Sequence, residues 1–134
     1  EDYDKAISIY EESDEVWYDK AMLLSEMSKP REAIEALKKA AKLNSESFDT
    51  WYKLAECSSE VGDFENSIKY YKKCLKLEPK NANCYYGIAK VKFLLNKNDE
   101  AVELLRFASL LDPGIKKKIS RDSLGNIKLS NSSK

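Results

Sequence analysis

Three cysteines, Cys57, Cys74 and Cys84, and a plentiful supply of Asp and Glu are the side chains here that could serve nucleophilic or acid–base catalysis. Such catalysis needs a nucleophile, a base and a means of stabilising charge. The sequence has no histidine, and neither a Gly-rich phosphate loop nor a G-x-S-x-G turn occurs in it. Three cysteines without paired spacing indicate neither a disulfide framework nor a mixed Cys/His zinc site. A free cysteine packs as a small buried hydrophobe, and scattered carboxylates read as solvated helix faces. No catalytic residue, metal site or cofactor site is expected. Unpaired thiols suit a reducing compartment, so a cytoplasmic location is expected.

The elements that carry these residues follow a strict period. Trp17, Trp51 and Tyr85 stand 34 positions apart, and Ala21, Ala55 and Ala89 follow them by four. A period of this size marks an array of repeats rather than a globule around one active site. Three blocks align without a gap, at 14–47, 48–81 and 82–115, and each reads as two amphipathic helices. The second helix carries a small residue near its start, Ala33, Ser67 or Ala101, and another seven positions later, Ala40, Cys74 or Ala108. Small side chains at such spacings let helices approach closely, while Trp17, Leu37, Trp51, Tyr71 and Leu105 fill the space between. Ser28, Gly62 and Asn96 occupy the turn between the two helices, where a left-handed residue ends the first one; Ser is the weakest of the three for that task. Pro30 suits a first helical turn, and Pro79 and Pro113 stop the second helices, with Ser45 in that place in the first block.

This pattern resembles the tetratricopeptide repeat across residues 14–115. The middle copy matches at Trp51, Leu54, Ala55, Gly62, Phe64, Ile68, Tyr71, Leu75, Leu77 and Pro79, and the third at Tyr85, Ile88, Ala89, Ala101, Ala108 and Pro113. The first copy departs at Lys20 and Ser45. The three cysteines also fall at phases where the family carries small residues. The resemblance implies an all-α fold, a right-handed α-α superhelix of antiparallel helix pairs, with the first helix of each pair lining a concave groove. It assigns that groove to the fifth, sixth, ninth and twelfth places of each block. The residues singled out there for partner contact are Tyr18, Met22, Tyr52, Lys53, Glu56, Tyr86, Lys90 and Phe93, with Asp19, Ser25, Ser59 and Gly87 beside them. Tyr18, Tyr52 and Tyr86 form a ladder, one ring per copy, that suits a peptide laid along the groove. Relatives that clamp a chaperone's C-terminal carboxylate carry asparagines at the sixth place; Asp19, Lys53 and Gly87 stand there, so that clamp is absent. The expected function is a non-catalytic protein-interaction scaffold. The alternative is a self-assembly or interdomain element joined through its open ends.

Net charge is zero overall, yet residues 116–134 hold six Lys or Arg against one acid, leaving −5 for residues 1–115. An acidic body argues against nucleic acid as partner. No apolar run approaches the roughly 20 residues of a membrane span. Residues 1–13 read as the second helix of a preceding, partial copy. The 11 residues from Ala6 to Trp17, set against 18 from Ala33 to Trp51, point to seven missing residues in that copy or its connection. Glu1 in the place of an initiator Met reads as a fragment of a longer chain. Residues 116–134 read as a cap, helical to about Asp122 through Ile115 and Ile119, with Leu124 as a further anchor and then a polar tail. Ile7, Ile9 and Tyr10 at the other end suggest an apolar surface prone to self-association.

Overall fold

The computed structural model describes residues 13–121, within which there are seven helices and no strand. They are α1 (Asp14–Glu26), α2 (Pro30–Leu43), α3 (Phe48–Glu60), α4 (Phe64–Leu77), α5 (Ala82–Leu94), α6 (Asn98–Leu111) and α7 (Ile115–Arg121). The expectations for residues 1–12 and for Leu124 and the polar tail lie outside the described residues.

The turns inside the three helix pairs are one structure written three times. Ser28, Gly62 and Asn96 all take the left-handed conformation, with φ of 60°, 84° and 63°. The next residue then donates its N–H to a carbonyl five positions back: Lys29 to Leu24 at 2.9 Å, Asp63 to Ser58 at 2.8 Å and Lys97 to Lys92 at 2.8 Å. This satisfies carbonyls that the helix end would leave unpaired. Only Gly62 adopts that φ without Cβ strain, so Ser28 holds it at a cost. On the other side of each first helix an extended residue serves as N-cap. The Ser47 hydroxyl accepts the Thr50 N–H at 3.4 Å, and the Asn81 side chain accepts the Asn83 N–H at 3.0 Å. Pro30 opens α2, where its missing N–H costs nothing.

The nine small residues at repeated phases explain how the pairs close. Ala21, Ala55, Ala89, Ala33, Ser67, Ala101, Ala40, Cys74 and Ala108 are all fully buried. Two compact units result, divided after Leu77. In the first, α1 packs on α2, α2 on α3 and α3 on α4. Its core gathers Ala21, Ala33, Ala36, Leu37, Ala41, Leu54 and Cys57, flanked by Trp17 and Trp51. In the second, α5 packs on α6, and α7 lies on both, so that Ile115 and Ile119 join Ala82, Tyr86, Ala89, Leu105 and Ala108.

The large aromatic at the fourth place of each block meets the second helix of its own copy, and in the second and third blocks it also bonds a carbonyl at the end of the preceding block. Trp51 donates its Nε1–H to the Ser45 carbonyl at 2.8 Å, and Tyr85, one period on, donates its hydroxyl to the Pro79 carbonyl at 3.2 Å. Lys39 places its ammonium 4.3 Å from the Trp17 ring centre, and Lys73 stands 5.3 Å from that of Trp51. In the third copy Phe107 takes the lysine's phase and meets Tyr85 edge-on at 4.8 Å. A cation over a ring and a ring edge against a ring exploit the same negative π face.

Candidate partner-binding surface

Tyr18, the first of the residues expected to meet a partner, stands beside an open cleft. Its half-buried ring borders a cleft of about 340 Å³ lined also by Asp14, Glu15, Asp19, Ser47, Asp49 and Thr50. Two helix starts create this cleft, because the acidic first turn of α1 and that of α3 both point their carboxylates at it. Burial and then the neighbouring charges of Asp49, Glu56 and Asp19 push the Tyr18 phenol above its usual pKa. The ring therefore stays neutral, a hydrogen-bonding hydroxyl beside four carboxylates. Such a cleft favours a cation and repels an acid.

Tyr52 serves a different purpose. Its ring stacks on Phe48 at 5.7 Å with 18° between planes, and meets Tyr71 edge-on at 5.6 Å. It buttresses α3 against α4, so changing it disturbs packing as well as surface. Lys53 is engaged as well, 3.6 Å from the Glu56 carboxylate one turn further along α3. These two residues neutralise one another and do not present a lysine alone. Met22 is half-buried on α1.

In the second unit α7 covers the tyrosine of the ladder. Tyr86 is only 5% exposed, and its hydroxyl donates to the Lys118 carbonyl at 3.3 Å. The Lys118 ammonium in turn donates to the Asn83 side-chain oxygen. Lys90 is exposed and lies 5.2 Å from the Tyr86 ring centre; Phe93 is half-buried against the α5–α7 core. The three tyrosines thus share a phase but have unlike surroundings.

The acidic residues around Tyr18 were not singled out from the sequence, apart from Asp19. Asp14, Glu15 and Asp49 sit at the first two places of their blocks, and the cleft forms only when residues about 34 apart come together. The signal that could have found them is the excess of seven acids over one lysine in residues 1–15. The cysteines form no such cleft: all three are buried thiols outside any disulfide, and burial first, then Glu60, raises the Cys57 pKa. Among the described residues no group of three or more His, Cys, Asp or Glu could hold a metal ion, and no helix is long and apolar enough to cross a membrane.

The tetratricopeptide repeat family model matches residues 14–47 and 48–81. No curated protein matches the sequence. Among solved structures, that of MamA has a TM-score of 0.77 at 20% identity, over 96% of this chain and 79% of that one. The Yersinia enterocolitica type III secretion chaperone SycD, in complex with a peptide of the translocator YopD, has a TM-score of 0.76 at 21% identity, over 87% of this chain and 93% of that one. YrrB, described as a TPR protein with an unusual peptide-binding site, has a TM-score of 0.73 at 18% identity; 75% of this chain is covered, against 52% of YrrB. At these identities the likeness is one of fold.

Proposed function

The chain belongs to the tetratricopeptide repeat family, and on that premise we propose that it is a non-catalytic interaction module that holds an extended segment of a protein partner against α1 and α3. The cleft around Tyr18 carries this reading, because it is open, aromatic and lined by Asp14, Glu15, Asp19 and Asp49. A lysine or arginine of the partner enters there, its charge met by the carboxylates and its stem laid on the tyrosine ring. Met22 and the Lys53–Glu56 pair extend the surface along the two helices. That SycD holds a peptide and that YrrB is described as having a peptide-binding site supports the class of ligand. Buried cysteines outside any disulfide are in keeping with a reducing, cytoplasmic setting.

The test is fluorescence anisotropy with labelled synthetic peptides of matched length, one set carrying spaced lysines and one spaced glutamates. The basic set should bind, weaken as salt rises, and lose about tenfold in affinity when Asp49 is changed to Lys, a loss of about 1.4 kcal/mol. Preference for the acidic set, or binding that ignores Asp49→Lys, would overturn the assignment of this cleft.

A further inference from the structure

The second helices of the first unit expose a lysine array with no acid inside it. On α4, Lys69, Lys72, Lys73 and Lys76 follow the spacing of one helix face and are all exposed, and no Asp or Glu occurs between Glu65 and Glu78. On α2, Lys38, Lys39 and Lys42 are exposed in the phases of Lys72, Lys73 and Lys76, and no acid occurs between Glu35 and Glu46. The helix dipole accounts for Lys42 and Lys76 in the last turns. It does not account for Lys38, Lys69 and Lys72, which stand further back. Lys39 and Lys73 lie over Trp17 and Trp51, and Lys38 stands 3.9 Å from Glu35. Among the described residues, Lys42, Lys69, Lys72 and Lys76 are in no ion pair. One period on, α6 carries Glu103, Phe107 and Leu110 in the phases of Lys69, Lys73 and Lys76, so the array ends with α4.

The opposite charge is gathered on the first helices of the same unit. Asp14, Glu15, Asp19 and Asp49 line the Tyr18 cleft, and none of these lysines borders it. Among the described residues no ion pair joins the cleft to the array. One chain therefore carries both halves of a charge-matched contact without closing it on itself. Both halves also repeat with the same period, since α1 and α3 supply the carboxylates as α2 and α4 supply the lysines. A nucleic acid or an anionic lipid surface would neutralise the lysines, yet would leave the carboxylates unmatched and be repelled by them.

On the reading that the Tyr18 cleft takes a basic partner, we propose that this partner is a second copy of the chain, whose α4 lysines dock on the cleft. Lys72 and Lys76, one turn apart, bring their ammonium groups to the carboxylates and lay an apolar stem against the Tyr18 ring. Lys38 and Lys42 of α2 continue the match one period along. The groups involved are exposed, so salt screens the contact and weakens it. The two surfaces are also different patches, so a copy that keeps only its lysines can still pair with a copy that keeps only its cleft.

The test is analytical ultracentrifugation of the full chain across protein and salt concentrations. The parent should associate in low salt and dissociate as salt rises. The double variant Lys72→Glu, Lys76→Glu and the single variant Asp49→Lys should each weaken association about tenfold or more. An equimolar mixture of the two should restore it, which also shows that both are folded. A parent that stays monomeric in low salt, association that neither variant weakens, or a mixture no better than its components would overturn the second copy as partner. The spaced-lysine peptide distinguishes this failure from failure of the cleft itself: it should bind the double variant as tightly as the parent and dissolve the parent's assemblies. Peptide binding by a parent that never associates would leave the cleft standing and sink only the second copy, and assemblies that the bound peptide leaves intact would do the same. A monomeric parent that binds anionic vesicles or RNA through Lys72 and Lys76 would assign the array to a polyanion and overturn the proposal too.

Discussion

The hydroxyl of Ser67 donates to the carbonyl oxygen of Ala55 at 2.7 Å, with both residues fully buried. The bond joins α4 to α3 inside the core, and in the other two copies the Ser67 place holds Ala33 and Ala101. Ser67→Ala should therefore keep the packing and lose only the bond, about 0.5–1.5 kcal/mol. Ala55→Leu should overpack the same crossing and cost roughly 1–3 kcal/mol. Denaturant melts of both variants check the order; an Ala55→Leu chain as stable as the parent would show that the crossing has room to spare.

Trp51 combines bulk with a hydrogen bond, and the two can be separated. Trp51→Phe removes the bond to the Ser45 carbonyl and most of the face covered by Lys73, for about 1–2 kcal/mol in all. Trp51→Ala adds a cavity and should cost about 3–5 kcal/mol. Similar melting of the two variants would mean that the half-buried ring contributes little beyond its N–H.

Ser28 offers the opposite sign. Its φ of 60° is strained for a residue with a Cβ, and Gly62 fills the equivalent turn without that strain. Ser28→Gly should raise stability by about 1 kcal/mol, and Gly62→Ser should lower it by about as much, since the added Cβ at Gly62 would meet nothing within 4 Å and only the backbone is at issue. Thermal melts in opposite directions are expected, and a drop for Ser28→Gly would refute the strain.

The raised pKa of the Tyr18 phenol has a definite consequence for pH. Burial and the nearby carboxylates favour its neutral form in the folded chain. Its contribution is then fully present below the unfolded value of about 10 and is lost as pH climbs through the higher folded value. The parent should lose stability above about pH 10 more steeply than Tyr18→Phe, while the two run parallel from pH 6 to 9. Melts across that range decide it, and parallel curves throughout would show that the cleft does not perturb the phenol.

The thiols give an independent check on the core. Cys57, Cys74 and Cys84 are buried, and the Cys57 thiol is further held in its protonated form. Reaction with a disulfide reagent should proceed no faster than unfolding at neutral pH. Rapid labelling of one cysteine in the native chain would place that helix face in solvent.

The period, the helix pairs and the small residues at which they close were legible in the amino-acid order alone, because those features depend on neighbours a few positions away. The left-handed turns at Ser28, Gly62 and Asn96 were legible for the same reason: a local conformation selects a local residue type. The surroundings of equivalent residues were not legible. Tyr18, Tyr52 and Tyr86 share one phase, yet the structure places the first beside an acidic cleft, the second between Phe48 and Tyr71, and the third beneath α7. Lys53 read as a lysine for a partner, yet Glu56 stands three residues on along the same helix, and their pairing was legible in that spacing. The unlike surroundings of the three tyrosines arise largely from side chains of other helices, Asp49 beside Tyr18, Tyr71 against Tyr52 and Lys118 over Tyr86, and a repeat pattern averages over those contacts. Phase identifies the face a residue occupies; the elements packed against that face determine whether it is buried, paired or open.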